Sequence, residues 1–412
     1  QSIDIFNYVN SICLIPTSQP GLAEGAKELL KLRIRREIEQ TGDDIKKFAN
    51  SCAEKPIEEI ITESDKIYNN KICAYAAENN KPEDITANVI EIIEERGNNP
   101  IQDTGLATPY PNFNRLYGGI RPGNIYAWVS RPKHGKSTIL NDLAIKVTSM
   151  NKGCRALVLD TEMSTIDMKF RIASSITGIP VWHLETGNWK KNVNLFNKFE
   201  ESKNKIKGLS NQVDHLQVAG KPIEEVASIV KRWYFSKVGR GNQCVIVYDY
   251  IKLTGESDKN KQEYQLIGDK VNALKELCLE LNVPILTACQ LNRSAENGVD
   301  DSSAISQSDR LQWYASFVAI FRRKSVEEIA DDGIEFGSHK LIPLATRFQG
   351  KDSAGHHDLV RIKEGKKIKY APNYISFNIN NFNVEETGTL EDILSAKSLR
   401  PELNDSGDGE VL

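Results

Sequence analysis

The residues with the clearest chemical meaning form a loop at 130–138. The loop follows an apolar stretch typical of a strand, IYAWV, and precedes a helical stretch, which is the context that a phosphate-binding loop requires. Backbone N–H groups around Gly135 can surround phosphate oxygens, Lys136 can reach the β- and γ-phosphates, and the Ser137 hydroxyl can ligate Mg²⁺. The sequence therefore predicts a site for ATP and Mg²⁺ made by Ser130, Arg131, Pro132, Lys133, His134, Gly135, Lys136, Ser137 and Thr138.

The first position of this loop departs from the general phosphate-loop pattern, which has glycine where this chain has Ser130. A Gly-Lys-Ser run can also occur by chance. The strand before it and the helix after it favour the phosphate-binding interpretation.

Three more polar side chains follow apolar stretches. Glu162 comes after RALVLD, Asp249 ends CVIVYD, and Gln290 comes after PILTA. Because the carboxyl ends of parallel strands face the ligand crevice, Glu162 can polarise a water, Asp249 can support Mg²⁺ and Gln290 can sense the γ-phosphate. Each residue alone also has a structural explanation. An acid at a strand end is more often a surface residue or a helix cap, apolar strands that end in Asp are common, and Gln290 can simply satisfy backbone groups.

The composition is that of a globular chain and excludes several classes. The 412 residues are 40% hydrophobic and 26% charged, and no apolar stretch approaches the eighteen residues of a membrane span. Seven cysteines without zinc-ligand spacing predict free thiols in a reducing compartment. The net charge of −3 argues only weakly against nucleic-acid binding, because a local basic channel is sufficient.

The pattern along the chain predicts four parts. Residues 1–80 favour a small helical domain, and 81–104 favour a linker helix and loop, with the helix near 84–97. Residues 105–380 alternate apolar strands with helices, which predicts an α/β domain with a parallel sheet covered on both faces. Residues 381–412 are acidic and predict a flexible tail.

In this order, the segments resemble the RecA-like motor domain of DnaB-type replicative helicases. The loop has their R-P-x-x-G-K-[ST] form, and DTEMSTIDMKFR resembles the segment with their catalytic glutamate. YDYIKL resembles their Walker B, and ACQLNRSAE is very close to their S-Q-L-N-R-S. The resemblance covers about 105–380 and does not extend to 1–80.

The resemblance implies roles for the nucleotide residues. Lys136 and Ser137 hold nucleotide and metal, Glu162 activates water, and Asp249 supports Mg²⁺. Gln290 couples nucleotide state to DNA. LATRFQGKDSAG resembles the segment with the arginine finger, so Arg347 acts on the nucleotide of a neighbouring subunit, and Arg171 is a second γ-phosphate contact. The family usually has lysine where this chain has Ala345.

The predicted DNA contacts lie in two loops, near 254–263 and 300–312, and within the QLNRS segment. The second loop departs from the family at Ser306, where arginine is usual, and at Asp309, where glycine is usual. Charged loops are often only solvated, and that alternative stays open for each residue. The candidates are Lys259, Lys261, Arg293, Ser306 and Arg310.

The resemblance also implies an activity: a ring, most simply a hexamer, that couples ATP hydrolysis to 5′–3′ movement on single-stranded or forked DNA. A primase and a helicase loader are the implied partners, without a membrane, in the bacterial cytoplasm or a phage-infected cell. Alternatives are a RecA-fold ATPase that is not a helicase, a nucleotide-gated scaffold, or the helicase half of a primase–helicase. The chain begins at Gln1 rather than Met, which leaves the last alternative open.

Overall fold

The computed structural model describes residues 19–72, 84–251, 263–290, 309–348, 350–351, 359–364 and 367–399. The chain divides between Asn99 and Pro100 into two compact units.

The first unit is helical in the part that the structure describes. Helix α1 (Gln19–Ser51) packs against α2 (Ile57–Ile72), and α3 (Val89–Asn98) is the helix of the predicted linker. The linker helix begins later than predicted. The Asp84 carboxylate accepts hydrogen bonds from the Thr86 N–H and hydroxyl, and Asn88 has a left-handed backbone, so turns precede Val89.

The second unit is built on a nine-stranded sheet of order β11-β10-β7-β6-β1-β5-β4-β2-β3. Six neighbouring strands are parallel, and each of the other three pairs antiparallel with its neighbours. The parallel strands are β1 (Ile125–Ser130), β2 (Arg155–Asp160), β3 (Val213–Gln217), β4 (Cys244–Ile251), β5 (Ile285–Gln290) and β6 (Phe317–Arg323). The others are β7 (His339–Thr346), β10 (Ile375–Asn380) and β11 (Asn383–Thr389), and β8 (Leu359–Glu364) and β9 (Lys367–Pro372) form a separate two-stranded sheet.

Helices connect and cover these strands. They are α4 (Pro111–Tyr117), α5 (Lys136–Met150), α6 (Thr165–Thr177), α7 (Val181–Glu185), α8 (Val193–Gly208), α9 (Ile223–Trp233), α10 (Glu263–Leu281), α11 (Asp309–Tyr314), α12 (Val326–Asp332) and α13 (Leu390–Leu399). A π-helical turn covers Tyr234–Val238, and short 3₁₀ turns cover Asn188–Lys191 and Ile334–Phe336.

The sheet is buried on both faces, as predicted. Successive side chains of a strand point to opposite faces, so Ala127 enters a core with Val226 of α9 and Leu274 of α10. Trp128 enters the other core, where it meets Leu140 of α5. This arrangement confirms the α/β, RecA-like fold with a parallel-dominated sheet and a preceding helical region.

The flexible tail predicted for 381–412 is wrong over 381–399. Strand β11 completes the edge of the large sheet by pairing with β10, and α13 follows it directly. The apolar residues in this acidic stretch supply the reason, since Val384, Leu390 and Ile393 are buried. Residues 400–412 lie outside the described residues.

Candidate nucleotide-binding site

The parallel register brings the predicted polar residues to one edge of the sheet. Ser130 at the end of β1 lies opposite Gln290 at the end of β5. Asp160 at the end of β2 lies opposite Asp249 in β4. Glu162 follows β2 by two residues, so the carboxylates and the amide meet the phosphate loop at this carboxyl edge.

The phosphate loop ends at the first turn of α5. Gly135 has φ 86° and precedes Lys136, the first residue of the helix. A Cβ on Gly135 would lie 3.1 Å from Ile379 and 3.4 Å from Phe321, so both conformation and space favour glycine. His134 ties the loop to the end of β6, because its Nδ1 accepts the Arg323 N–H at 3.1 Å.

A pocket of about 920 Å³ opens beside the loop. Of the predicted loop residues, six line it: Pro132, Lys133, Gly135, Lys136, Ser137 and Thr138. Ser130, Arg131 and His134 complete the loop but are not in the pocket lining. The predicted Glu162, Arg171 and Gln290 also line the pocket, so the structure brings them together with the loop.

Lys136 and Glu162 are connected through a residue that the sequence did not single out. The Lys136 ammonium lies 2.9 Å from the centre of the Tyr250 ring, and the Tyr250 hydroxyl donates to Glu162 Oε1 at 3.1 Å. The ring favours the cation and the hydroxyl orients the carboxylate. Only the position of Tyr250 next to Asp249 could have drawn attention to it.

Asp249 is a buried carboxylate, and one of its oxygens accepts no hydrogen bond from the described residues. Burial raises its pKa to about 6, and a hydrogen bond from Ser137 opposes that shift. Asp249 Oδ1 and Asp160 Oδ2 are buried and have no hydrogen-bond partner among the described residues. Asp160 Oδ1 accepts the N–H groups of Glu162 and Met163, each at 2.6 Å.

These oxygens fit Mg²⁺ bound together with a nucleotide. Within the described ranges no three His, Cys, Asp or Glu side chains converge on a common point. Mg²⁺ does not need such a cage, because it usually keeps several waters and takes one or two carboxylates plus phosphate oxygens. Ser137 and Asp249 can supply the protein ligands, since Asp249 Oδ1 has no other partner among the residues described.

Another part of the pocket wall comes from the end of β6, the start of β7 and the β10–β11 hairpin, and it was missed from the sequence. Arg323, His339, Ile379, Asn381 and Phe382 line it, and the last two fell within the supposed tail. The guanidinium of Arg171 lies 5.0 Å from the centre of the Phe382 ring, which extends the wall across the pocket.

His339 is a neutral group in this wall. Burial lowers its pKa to about 4, and the nearby charge of Arg323 acts in the same direction. Its ring stacks on Phe321 at 5.5 Å between centres, so it is held in the core under the phosphate loop.

The predicted arginine finger does not line this pocket. Arg347 is exposed, and its Nη2 donates to the carbonyl of Trp313 at 2.5 Å. Of the DNA candidates, Arg310 lies in α11, and its side chain is not described. Lys259, Lys261, Arg293 and Ser306 lie outside the described residues.

Comparison with known proteins places these features in a family. Residues 105–366 match the model of the DnaB-like helicase C-terminal domain. The match covers more than half of the chain, and the chain belongs to this family. The resemblance stated from the sequence motifs is therefore confirmed.

Two relatives illustrate the distance within the family. The replicative DNA helicase DnaB of Leifsonia xyli is 25% identical over 228 residues, which are 55% of this chain and 48% of that protein. The DnaB of Haemophilus influenzae is 22% identical over 320 residues, 73% of this chain and 64% of that protein. The chain thus spans about half the length of the first relative and under two thirds of the second.

Solved structures agree on the fold. A DnaB-like replicative helicase, described with its interactions with primase, aligns with a TM-score of 0.59 at 15% identity, over 92% of this chain and 83% of that chain. A solved ATPase domain aligns with a TM-score of 0.60 at 15% identity, over 74% of this chain and 99% of that chain. Among the helices that the structure describes, none is both long and apolar enough to cross a membrane.

Proposed function

We propose that this protein is an ATP-dependent DNA helicase of the replicative type. The observation that carries the proposal is the convergence of Lys136, Ser137, Glu162 and Gln290 on one pocket of a DnaB-family fold. The loop and the N-terminus of α5 hold the phosphates of ATP. Ser137 and Asp249 would hold Mg²⁺, and the ion would supply positive charge to offset that of the phosphates.

Glu162 acts as the general base of hydrolysis. The attacking water gives its proton to the Glu162 carboxylate, its oxygen bonds to the γ-phosphorus, and the bond to the β–γ bridging oxygen breaks to release ADP. Tyr250 supports this role because its hydroxyl donates to Glu162 Oε1 and holds the carboxylate in the pocket. Gln290 lies at the end of β5 and contacts the γ-phosphate, which links nucleotide state to the segment that follows that strand.

The site is completed by a neighbouring copy of the chain, and the copies form a ring, most simply a hexamer. Arg347 is exposed and absent from its own pocket, so it is available to the nucleotide of a neighbour. Trp313, whose carbonyl holds Arg347, is 67% exposed. In the first unit, every residue of α3 is exposed, including Ile90, Ile92 and Ile93, as expected for a helix that docks on another surface.

The ring moves 5′ to 3′ along one strand of forked DNA and excludes the other. Family membership and the names of its relatives support this part of the proposal. A primase is the first expected partner, because a solved relative is described with one. A helicase loader is the second. The proposed setting is the bacterial cytoplasm or a phage-infected cell.

A forked-duplex assay tests the proposal. The protein with ATP and Mg²⁺ is expected to separate a fork with a free 5′ single-stranded tail and to leave a fork with only a 3′ tail intact. Lys136→Ala is the matched control, because it is expected not to hydrolyse ATP and therefore to separate neither substrate. ATP turnover without strand separation on either fork would favour the RecA-fold ATPase that is not a helicase.

A further inference from the structure

The segment after Arg347 is hydrogen-bonded to the end of a helix. The N–H of Gly350 donates to the carbonyl of Leu116 at 2.8 Å, and the N–H of Lys351 donates to the carbonyl of Arg115 at 2.8 Å. Both carbonyls belong to the last turn of α4, where carbonyl groups have no partner within the helix. The segment therefore satisfies the end of α4 and is held in place by it.

Only glycine fits at position 350. A Cβ there would lie 1.9 Å from the carbonyl oxygen of Arg115 and 2.6 Å from its carbonyl carbon. Both atoms belong to the backbone of α4 and cannot rotate away as a side chain can. Any other residue must push the segment and the helix apart.

The other end of α4 is also anchored. The carboxylate of Glu386 in β11 accepts the N–H of Asn112 at 2.8 Å and that of Phe113 at 3.4 Å. The Phe113 side chain is fully buried beneath them. Helix α4 is thus a firm support rather than a surface element that could follow a displaced segment.

Arg347 directly follows the end of β7 and precedes the residues that bond to α4, Gly350 and Lys351. Its N–H donates to the carbonyl of Ser316 at 2.9 Å, which continues the pairing of β7 with β6. On the other side, Arg121 lies 4.5 Å from the centre of the Phe348 ring. The guanidinium of Arg347 has five N–H donors. Within the described part of the chain, one of them donates to the carbonyl of Trp313. The backbone is constrained on both sides of an exposed side chain that keeps donors available.

We propose that Gly350 is a positioning residue for Arg347: its close approach to α4 sets where the arginine is presented to the neighbouring subunit. This inference rests on the proposed function, in which Arg347 acts on the neighbour's ATP. A displacement of about 1 Å in a catalytic group can reduce turnover by about 10²-fold. The shift forced by a Cβ at 1.9 Å from a backbone oxygen is of that size.

The test uses Gly350→Ala with Gly208→Ala as the matched control, since a Cβ on Gly208 meets nothing within 4 Å. Gly350→Ala is expected to bind a fluorescent ATP analogue normally and to lose about 10- to 100-fold in DNA-stimulated turnover. Gly208→Ala is expected to keep both. Wild-type turnover in Gly350→Ala would overturn the proposal.

Mixing subunits separates positioning from a general folding defect. Gly350→Ala keeps its phosphate loop, and Lys136→Ala keeps a correctly placed Arg347, so mixing the two under exchange conditions is expected to restore part of the turnover. Mixing Gly350→Ala with Arg347→Ala is expected to give no turnover above that of Gly350→Ala alone, because neither chain supplies a correctly placed Arg347. Recovery in the second mixture, or none in the first, would contradict the positioning role.

If the proposed action of Arg347 on a neighbouring subunit is wrong, the experiments give a different result. If Arg347→Ala itself turns over ATP normally, the trans arginine is wrong whatever Gly350→Ala does. If Arg347→Ala recovers with Lys136→Ala and Gly350→Ala does not, only the positioning role fails. If Gly350→Ala does not fold, Phe348→Leu weakens the same segment without inserting an atom. Its turnover is expected to fall a few-fold and to recover with Lys136→Ala, and unchanged turnover would contradict the proposal.

Discussion

The two halves of the large sheet divide the nucleotide site between them. The parallel strands β1, β2, β4 and β5 end at the edge that carries the phosphate loop, Glu162, Asp249 and Gln290, the groups that we propose bind phosphate and metal. The antiparallel strands β7 and β10 and the turn between β10 and β11 supply another part of the pocket wall. Strand β7 also leads from His339 in the pocket to Arg347 outside it.

From this difference we propose that the two halves act on different parts of the reaction. A parallel strand end places one carboxylate or amide beside a phosphate, and this geometry serves the chemical step. Strand β10 and the turn after it place Ile379 and Phe382 in the pocket lining, where we propose that they contact the nucleotide without taking part in the chemical step. We expect changes in the first half to alter turnover and most changes in the second half to alter nucleotide affinity.

Arg347 is expected to be an exception to this division between the halves. It follows an antiparallel strand, yet a finger supplied in trans is worth about 10³–10⁵ in turnover. Arg347→Ala is therefore expected to bind ATP normally and to lose hydrolysis by that factor, measured as DNA-stimulated phosphate release. Partial recovery on mixing with Lys136→Ala is the control, and its absence would place Arg347 within its own chain or in a structural role.

Glu162 tests the parallel half directly. Loss of a general base typically costs about 10²–10⁴-fold, so Glu162→Gln is expected to turn over slowly while it still binds ATP and retains DNA in a filter-binding assay. The amide can still accept the Tyr250 hydroxyl bond, which makes the substitution local. A loss below about tenfold would move the base to another residue.

The parallel half was predictable because each strand is an apolar run with a polar functional residue at its end or just after it. The apolar runs IYAWV, RALVLD and PILTA are followed closely by Ser130, Glu162 and Gln290, and CVIVYD ends in Asp249. Because the carboxyl ends of parallel strands meet at one edge of a sheet, these residues were expected to lie together. Asp160 ends RALVLD as Asp249 ends CVIVYD, but it was not singled out because the role in that segment was given to Glu162. Its position opposite Asp249 is set by the strand register, which the sequence does not display.

The antiparallel half was not predictable for a physical reason. Residues 381–399 are acidic on average, and average composition conceals the few side chains that the sheet buries, such as Val384. Asn381 and Phe382 reach the pocket only because β10 and β11 turn back beside the phosphate loop. The contact between this hairpin and the phosphate loop joins residues far apart in sequence, so no local sequence pattern predicts it.

Asp249 gives a pH-dependent test of the parallel half. Its pKa in the folded protein is about 6, above the ordinary 3.8, so the folded state binds the proton more tightly and stability falls as pH rises from about 4 to 6. The full cost, at most about 3 kcal/mol, is present above pH 6. Without nucleotide and Mg²⁺, Asp249→Asn is expected to raise the thermal unfolding temperature at pH 7.5.

That advantage is expected to shrink as pH falls from 6 to 4, because protonation of Asp249 makes the wild type equally neutral there. Asn can still accept the hydrogen bond from Ser137, so the comparison isolates the charge. An advantage that does not change with pH would show that burial of this carboxylate does not oppose folding.

Phe382 tests the antiparallel half, with the smallest expected effect. Its ring lines the pocket and faces the guanidinium of Arg171, so it can stack on the base or cover the ribose of the nucleotide. An aromatic contact with a base is worth about 1–3 kcal/mol, and it is made equally in the ground and transition states. Uniform binding of this kind changes KM without changing kcat. Phe382→Ala is therefore expected to raise the KM for ATP and to leave kcat within about twofold, with Phe382→Tyr as the control that keeps the ring. A fall in kcat at saturating ATP would break the division between the halves, because it would place a residue of the antiparallel wall in the chemical step.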